Sequence, residues 1–135
     1  MNRKNYRSPY RVLLVDDHAP LAEATAELMH AKGLDVRIAS TGREALEMAA
    51  AFHPEIVLCD FYLPDMEGLD VARALRAIPG LKSGVIALHT AMTESDLPWL
   101  KDADAPVDLF LSKPITAEEI DALVSQLPSH AKKAL

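Results

Sequence analysis

Val12-Leu-Leu-Val-Asp-Asp17 is an apolar run that ends in two adjacent carboxylates. Four more short apolar runs follow along the chain, at residues 36–39, 56–59, 85–88 and 107–111. Most of these runs are continuous rather than alternating, which is typical of strands covered on both faces. Segments with helical spacing separate them. The sequence therefore predicts βαβ units with right-handed crossovers, and a parallel sheet with helices on both faces.

The helix boundaries have recognisable signals. Thr116 and Glu119 have the spacing of a capping box ahead of the last amphipathic segment, and Thr41 and Glu44 repeat that spacing earlier in the chain. The fourth helical segment contains Pro98, which a helix tolerates only in its first turn or at a kink. We therefore expect the fourth helix to be short or irregular.

Composition limits the class of protein. The chain has 135 residues, of which 50% are apolar and 25% charged, as in a single globular domain. Fourteen basic against 20 acidic residues give a formal charge of −6, which argues against direct DNA binding. No apolar run can cross a membrane, and the one cysteine suits a reducing cytoplasm. We predict a basic tail at 1–10, one domain at 11–127 and a C-terminal tail at 128–135.

Polar side chains end four of the five predicted strands. Asp16 and Asp17 follow the first strand, Asp60 the third and Thr90 the fourth, and Lys113 lies at the end of the fifth. Because the carboxyl ends of parallel strands meet at one edge of a sheet, we expect these groups to converge. Three neighbouring carboxylates repel each other unless a cation compensates them. Oxygen-only ligands favour Mg²⁺ together with the lysine.

This set of groups suits one particular reaction. A carboxylate beside Mg²⁺ can attack a phosphoryl group and become an aspartyl phosphate. The central strand favours Asp60 as the nucleophile, with Asp16 and Asp17 holding the metal, while a lysine and a hydroxyl stabilise the phosphoryl oxygens. For any single acid, a solvated loop position is the better explanation. The convergence of the whole set is what favours phosphoryl chemistry.

The motifs, taken together and in order, resemble the receiver domain of bacterial two-component response regulators. The matching stretches are Val12-Leu-Leu-Val-Asp-Asp-His18, Ile56-Val-Leu-Cys-Asp60, Phe61-Tyr-Leu-Pro-Asp-Met-Glu-Gly68, Val85-Ile-Ala-Leu-His-Thr-Ala91 and Phe110-Leu-Ser-Lys-Pro114. The resemblance covers roughly residues 10 to 127. It implies an α/β, flavodoxin-like (βα)5 three-layer sandwich with strand order 2-1-3-4-5, and a stand-alone phosphorelay protein.

The resemblance also implies roles for the residues at the strand ends. Asp60 is implied to accept a phosphoryl group from a histidine kinase or a histidine phosphotransfer protein. Asp17 is implied to bind Mg²⁺ directly and Asp16 partly through water, with the backbone carbonyl of Tyr62 as a further ligand. Lys113 is implied to contact the phosphoryl oxygens.

The same resemblance implies a switch and a path for hydrolysis. Thr90 is implied to be the switch hydroxyl and Phe110 the aromatic that follows it, and the fourth helix, fifth strand and fifth helix then form the face that contacts an output protein. Pro114 is implied to follow a cis bond.

Tyr62 and Met92 are implied by the resemblance to flank the path of the hydrolytic water, and neither side chain is acidic or an amide. We hypothesise that these two side chains make self-dephosphorylation slow. An equally good explanation is that they only cover the loops and have no effect on hydrolysis.

Other functions fit the sequence less well. A Mg²⁺-dependent phosphohydrolase of the haloacid-dehalogenase type needs acids two residues apart, whereas Asp16 and Asp17 are adjacent. A nucleotide or flavin site needs a loop that attracts phosphate, and this loop is acidic. An interaction module that is never phosphorylated stays open. We expect a signalling domain rather than an enzyme, a monomer or weak dimer, and a packed rather than catalytic His89.

Overall fold

The structure, a computed structural model, describes residues 10–81 and 84–127. The strands are β1 (Arg11–Val15), β2 (Asp35–Ala39), β3 (Ile56–Cys59), β4 (Val85–Thr90) and β5 (Leu109–Ser112). The helices are α1 (Ala19–Ala31), α2 (Gly42–Phe52), α3 (Gly68–Arg76) and α4 (Ala117–Ser125). All strand pairs are parallel, in the order β2-β1-β3-β4-β5. The predicted flavodoxin-like sheet is confirmed.

The sheet has an apolar core on each face. On one face, Leu14 and Leu58 of the central strands belong to the same buried cluster as Met29 of α1 and Ile120 of α4. On the other face, a second cluster joins the sheet to α2 and α3. Since burying apolar area is the main stabilising contribution, these two layers hold the strand ends in a fixed position.

The predicted fourth helix is irregular, as expected. In its place lie two 3-10 turns, Glu94–Asp96 and Pro98–Lys101. Pro98 begins the second turn, where its missing N–H is not needed. A third, smaller apolar cluster, which includes Phe61, Leu88 and Leu97, lies beneath this segment. The last predicted helix, the fifth in the sequence analysis, is α4.

One predicted capping box is confirmed and the other is wrong in part. Thr116 accepts from the Glu119 N–H at 3.2 Å, and the Glu119 carboxylate accepts from the Thr116 N–H at 2.9 Å. Thr41 likewise accepts from the Glu44 N–H at 3.0 Å. The Glu44 carboxylate, however, accepts from the N–H of Ser40 at 2.7 Å. The second hydrogen bond expected for this capping box is therefore made to Ser40 instead of Thr41.

The folded core includes one residue that we assigned to the N-terminal tail. Tyr10, which we assigned to the N-terminal tail, is 4% exposed within the core, and its carbonyl accepts from the Asp35 N–H at 2.9 Å. The rest of the predicted tails, residues 1–9 and 128–135, lies outside the described residues. No helix within 10–81 and 84–127 is long and apolar enough to span a membrane.

Candidate functional site

Three carboxylates meet at the carboxyl edge of the sheet. Val15 of β1 pairs with Cys59 of β3, so the residues that follow them, Asp16 and Asp60, lie side by side. Together with Asp17, they bring carboxylate oxygens within 4.8 Å of one another. Asp16 is buried, Asp60 is half-buried and Asp17 is exposed. The predicted convergence of acids is confirmed, and it creates a site of strong negative charge that is open to solvent on one side.

Lys113 lies between two of these acids. Its Nζ is 2.8 Å from Asp16 Oδ2 and 2.8 Å from Asp60 Oδ2. Burial lowers the pKa of Lys113, but hydrogen bonds to Asp16 and Asp60 and their negative charges raise it by more, so its pKa lies above the ordinary value. The ammonium therefore stays charged and partly compensates the acids. The Lys113–Pro114 bond is cis.

The loop after β1 holds Asp16 by its backbone. Asp16 Oδ1 accepts from the His18 N–H at 2.9 Å. His18 is the N-cap of α1, and its Nδ1 accepts from the Leu21 N–H at 3.3 Å. This pair of bonds connects the orientation of the buried carboxylate to the start of α1.

The loop after Asp60 is held at both ends. A Cβ added at Gly68 would overlap the carbonyl oxygen of Asp60, so only glycine allows α3 to begin this close to the site. Asp65 accepts from the Gly42 N–H at 2.8 Å and the Arg43 N–H at 2.9 Å, and these bonds lower its pKa. Asp65 thus caps α2 from a distant loop. Sequence reasoning missed this contact because its partners lie more than twenty residues away.

Thr90 and Phe110 lie on one face of the sheet. Thr90 is 2% exposed at the end of β4, and its hydroxyl accepts from the Met92 N–H at 3.4 Å. Because strand side chains alternate, Thr90 shares its face with Leu88, which pairs in register with Phe110. Phe110 is half-buried against the cluster of Phe61, Leu88 and Leu97.

The two residues proposed to tune lifetime lie in different environments. The Tyr62 side chain is 60% exposed and meets Phe61 edge to face, with ring centroids 4.9 Å apart. Met92 is half-buried against the cluster that contains Phe61. Phe61 also stacks on Trp99 of the second 3-10 turn, at 6.3 Å. The residue after Asp60 therefore contacts the irregular segment directly.

His89 is packed in the interior, as predicted. It is 4% exposed and follows Leu88, the partner in register of Cys59, so it lies beside Asp60 in the strand order. Burial lowers its pKa to about 4, assisted by the positive charge of Lys113. The available signal was a histidine inside a buried strand immediately before the strand ends.

The whole chain was then compared with known proteins. The model of the response regulator receiver domain matches residues 12–125. The chain belongs to the response regulator receiver family. A receiver domain described as CheY-like, from Methylobacillus flagellatus, is 27% identical and superposes with a TM-score of 0.79, over 90% of this chain and 100% of that one. This agrees with the observed sheet order.

Of two further similar proteins, one contains a magnesium ion and the other is named as a DNA-binding regulator. The receiver domain of sensor histidine kinase PA1611 from Pseudomonas aeruginosa was solved with a magnesium ion in its active-site cleft. At 21% identity and a TM-score of 0.76, over 88% of this chain and 97% of that one, it shows likeness of fold alone. The DNA-binding response regulator MtrA of Mycolicibacterium paratuberculosis is 34% identical over 114 residues, which are 84% of this chain and 49% of MtrA.

The match to MtrA corrects one prediction. We had expected no direct DNA binding from the net charge of −6, yet this relative is named as a DNA-binding regulator. The inference was wrong because the charge of a receiver domain carries no information about the rest of a longer relative. The chain spans about half the length of the curated relatives it matches.

Proposed function

We propose that the protein is a phosphoryl-accepting switch of a two-component phosphorelay, with Asp60 as the phosphoacceptor. The observation that supports this most strongly is the placement of Lys113, 2.8 Å from both Asp16 and Asp60. An ammonium held at the nucleophile is suited to receive the oxygens of an incoming phosphoryl group. The family match over residues 12–125 supports the same function.

The acidic pocket fits Mg²⁺. It offers oxygen donors only, from Asp16, Asp17 and Asp60, within 4.8 Å of one another, and the backbone carbonyl of Tyr62 follows on the next loop. Hard oxygen ligands with an open side suit an ion that keeps several waters. When bound, Mg²⁺ supplies positive charge that neutralises phosphoryl oxygens.

Transfer requires one bond exchange at phosphorus. A carboxylate oxygen of Asp60 forms a bond to the phosphorus of a phosphohistidine donor while the bond from phosphorus to the imidazole nitrogen breaks. The leaving nitrogen keeps the electron pair and takes a proton from water. Lys113 holds the phosphoryl oxygens through charge, and its raised pKa keeps it protonated throughout. The chemistry belongs to signalling, with no free substrate turned over.

Thr90 and Phe110 are proposed to transmit the phosphorylated state. Among residues 10–81 and 84–127, the Thr90 hydroxyl is engaged by a long contact of 3.4 Å from the Met92 N–H, so little is lost when it turns towards a phosphoryl oxygen. Phe110 lies on the same sheet face and is half-buried, so it has room to follow. The change then reaches the 3-10 segment, which packs on the same apolar cluster.

Slow self-dephosphorylation is proposed from Tyr62 and Met92. Neither side chain orients a water for attack on phosphorus, since neither carries a carboxylate or an amide. The test is the half-life of the phosphorylated protein against Tyr62→Asn and Met92→Asn. Faster decay in the variants supports the role, whereas a half-life of seconds that neither substitution changes contradicts it.

The central experiment is phosphorylation itself. The protein is incubated with Mg²⁺ and either acetyl phosphate or a panel of phosphorylated histidine kinases, and intact mass is measured. We expect the mass of one added phosphoryl group in the wild type and none in Asp60→Asn. Equal labelling of both would refute Asp60 as the acceptor. Absence of labelling, with an NMR spectrum unchanged by beryllofluoride, would favour an interaction module that is never phosphorylated. The stand-alone arrangement, cytoplasmic location and weak self-association stay predictions.

A further inference from the structure

The side chain of His89 is buried without a complete set of partners. The residue is 4% exposed, and within residues 10–81 and 84–127 its Nε2 is buried with no hydrogen-bond partner. An unpaired buried polar atom destabilises the folded state. Buried polar groups in folded proteins nearly always have a partner, and ordered water is the usual one when protein atoms do not supply it.

A small cavity lies at this side chain, between the sheet and α1. Its lining comprises the apolar residues Leu14, Val15, Ala22 and Leu58 and the polar residues Asp16, Thr25 and His89. The space open to the centre of a water-sized sphere is about 10 Å³, which corresponds to roughly one water molecule. An apolar cavity of this size would stay dry, whereas three polar side chains provide the bonds that retain a water.

The polar residues of the lining have bonding capacity left. The Thr25 hydroxyl donates to the Leu21 carbonyl at 2.9 Å, which leaves its oxygen free to accept. Asp16 accepts one bond at each oxygen, from the His18 N–H and from Lys113, and each carboxylate oxygen has a second lone pair. His89 is neutral at neutral pH, because burial lowers its pKa to about 4. A neutral imidazole has one N–H to donate.

We propose that one ordered water occupies this cavity, accepts from the Nε2–H of His89 and donates to Asp16 and Thr25. His89 is then a positioning residue for Asp16, with which it lines the same cavity. The inference rests on the proposed function, in which Asp16 holds Mg²⁺. A carboxylate that is held in place by hydrogen bonds binds a cation better than a mobile carboxylate does, since it loses less rotational freedom on binding.

The water and the tautomer are measured directly. A high-resolution crystal structure of the full chain is expected to show one water within hydrogen-bond distance of His89 Nε2 and Asp16. Long-range ¹H–¹⁵N NMR is expected to show a neutral ring with the proton on Nε2. An empty cavity, or a ring with the proton on Nδ1, would overturn the proposal.

The positioning role is measured by Mg²⁺ affinity, followed by the fluorescence of Trp99, the only tryptophan in the sequence. We expect His89→Leu to bind Mg²⁺ about 10-fold more weakly, as for other residues that hold a metal ligand in place. His89→Gln retains an N–H donor near the same position and is expected to restore most of the affinity. Leu58→Val is the matched control, because it alters the apolar lining and lowers the melting temperature without touching the polar groups.

These outcomes distinguish a failure of the positioning role of His89 from a failure of the proposed function. Wild-type affinity in His89→Leu, or an equal loss in His89→Leu and Leu58→Val, refutes the positioning role. If the wild type itself binds no Mg²⁺, the proposed function fails, and the crystallographic result alone decides whether the water bridge exists. Rescue by His89→Gln together with an observed water supports the inference in full.

Discussion

Replacing Lys113 with methionine removes one positive charge and keeps most of the apolar stem. In the wild type that charge lies 2.8 Å from an oxygen of Asp16 and 2.8 Å from an oxygen of Asp60. The variant leaves carboxylate oxygens within 4.8 Å of one another without their ammonium. The lost stability therefore measures how strongly the ammonium is attracted to the acids of the pocket.

The magnitude follows from charge and burial. A positive and a negative unit charge 2.8 Å apart attract by about 6 kcal/mol at the effective dielectric constant of roughly 20 that suits protein sites, and the cost of burying the ammonium offsets part of this. The side chains of Lys113, Asp16 and Asp60 are only 16%, 7% and 13% exposed, so water screens them weakly. We expect the free energy of unfolding of Lys113→Met at pH 7, without divalent cations, to fall by about 3 kcal/mol, in the range for breaking a buried pair.

The assay is urea unfolding of four proteins at pH 7, without divalent cations. Lys113→Met/Asp60→Asn is expected to be more stable than Lys113→Met, since removing one acid relieves the repulsion. Lys32→Met is the control: it breaks the half-buried ion pair with Asp121, at 3.2 Å, and is expected to cost less than about 1 kcal/mol.

Two results would refute this reasoning. One is a loss in Lys113→Met no larger than that of Lys32→Met, which would mean that solvent already screens the pocket. The other is a double variant no more stable than Lys113→Met, which would assign the loss to packing of the lysine stem rather than to charge.

Three further perturbations test other parts of the structure. Between pH 6.5 and pH 4 the wild type is expected to lose up to about 3 kcal/mol through His89, because the unfolded chain binds a proton that the folded one, with a pKa of about 4, excludes. The slope of stability against pH is compared with that of His89→Gln, and equal slopes would contradict the prediction. Gly68→Ala forces a Cβ against the carbonyl of Asp60 and is expected to cost about 2 kcal/mol and to abolish phosphorylation by acetyl phosphate; normal labelling would show that the loop adapts. Thr116→Ala removes the bond to the Glu119 N–H and is expected to cost about 1 kcal/mol in urea unfolding, and an unchanged midpoint would mean that water replaces the hydroxyl.

The parts of the site that could be predicted depend on strand ends alone. A continuous apolar run identifies a strand buried on both faces, and the parallel arrangement brings the residues after each run to one edge. Asp16, Asp60 and Lys113 meet for that reason, and no knowledge of side-chain packing was needed. The short fourth helix was predictable in the same way, because Pro98 limits a helix by covalent geometry.

The contacts that were missed join residues distant in sequence. Asp65 caps α2 across a loop, and the box at Thr41 loses its second bond to the neighbouring Ser40. His89 acquires its role from a cavity whose other polar residues come from β1 and α1. Helix propensity and residue spacing describe each segment separately. They therefore contain no information on which polar groups of different segments will form hydrogen bonds with each other.

The end of β4 carries both kinds of residue, since Thr90 was predicted from its position at a strand end whereas the cavity beside His89 was not predicted. His89 and Thr90 are adjacent in an extended strand, so their side chains point to opposite faces. His89 faces α1 and the buried carboxylate Asp16, whereas Thr90 shares its face with Leu88 and its partner in register, Phe110. The two residues share the peptide unit that joins them. Any displacement of Thr90 that involves the backbone therefore also moves the imidazole behind the proposed metal site, so the proposed switch face and the proposed metal site are linked through one strand end.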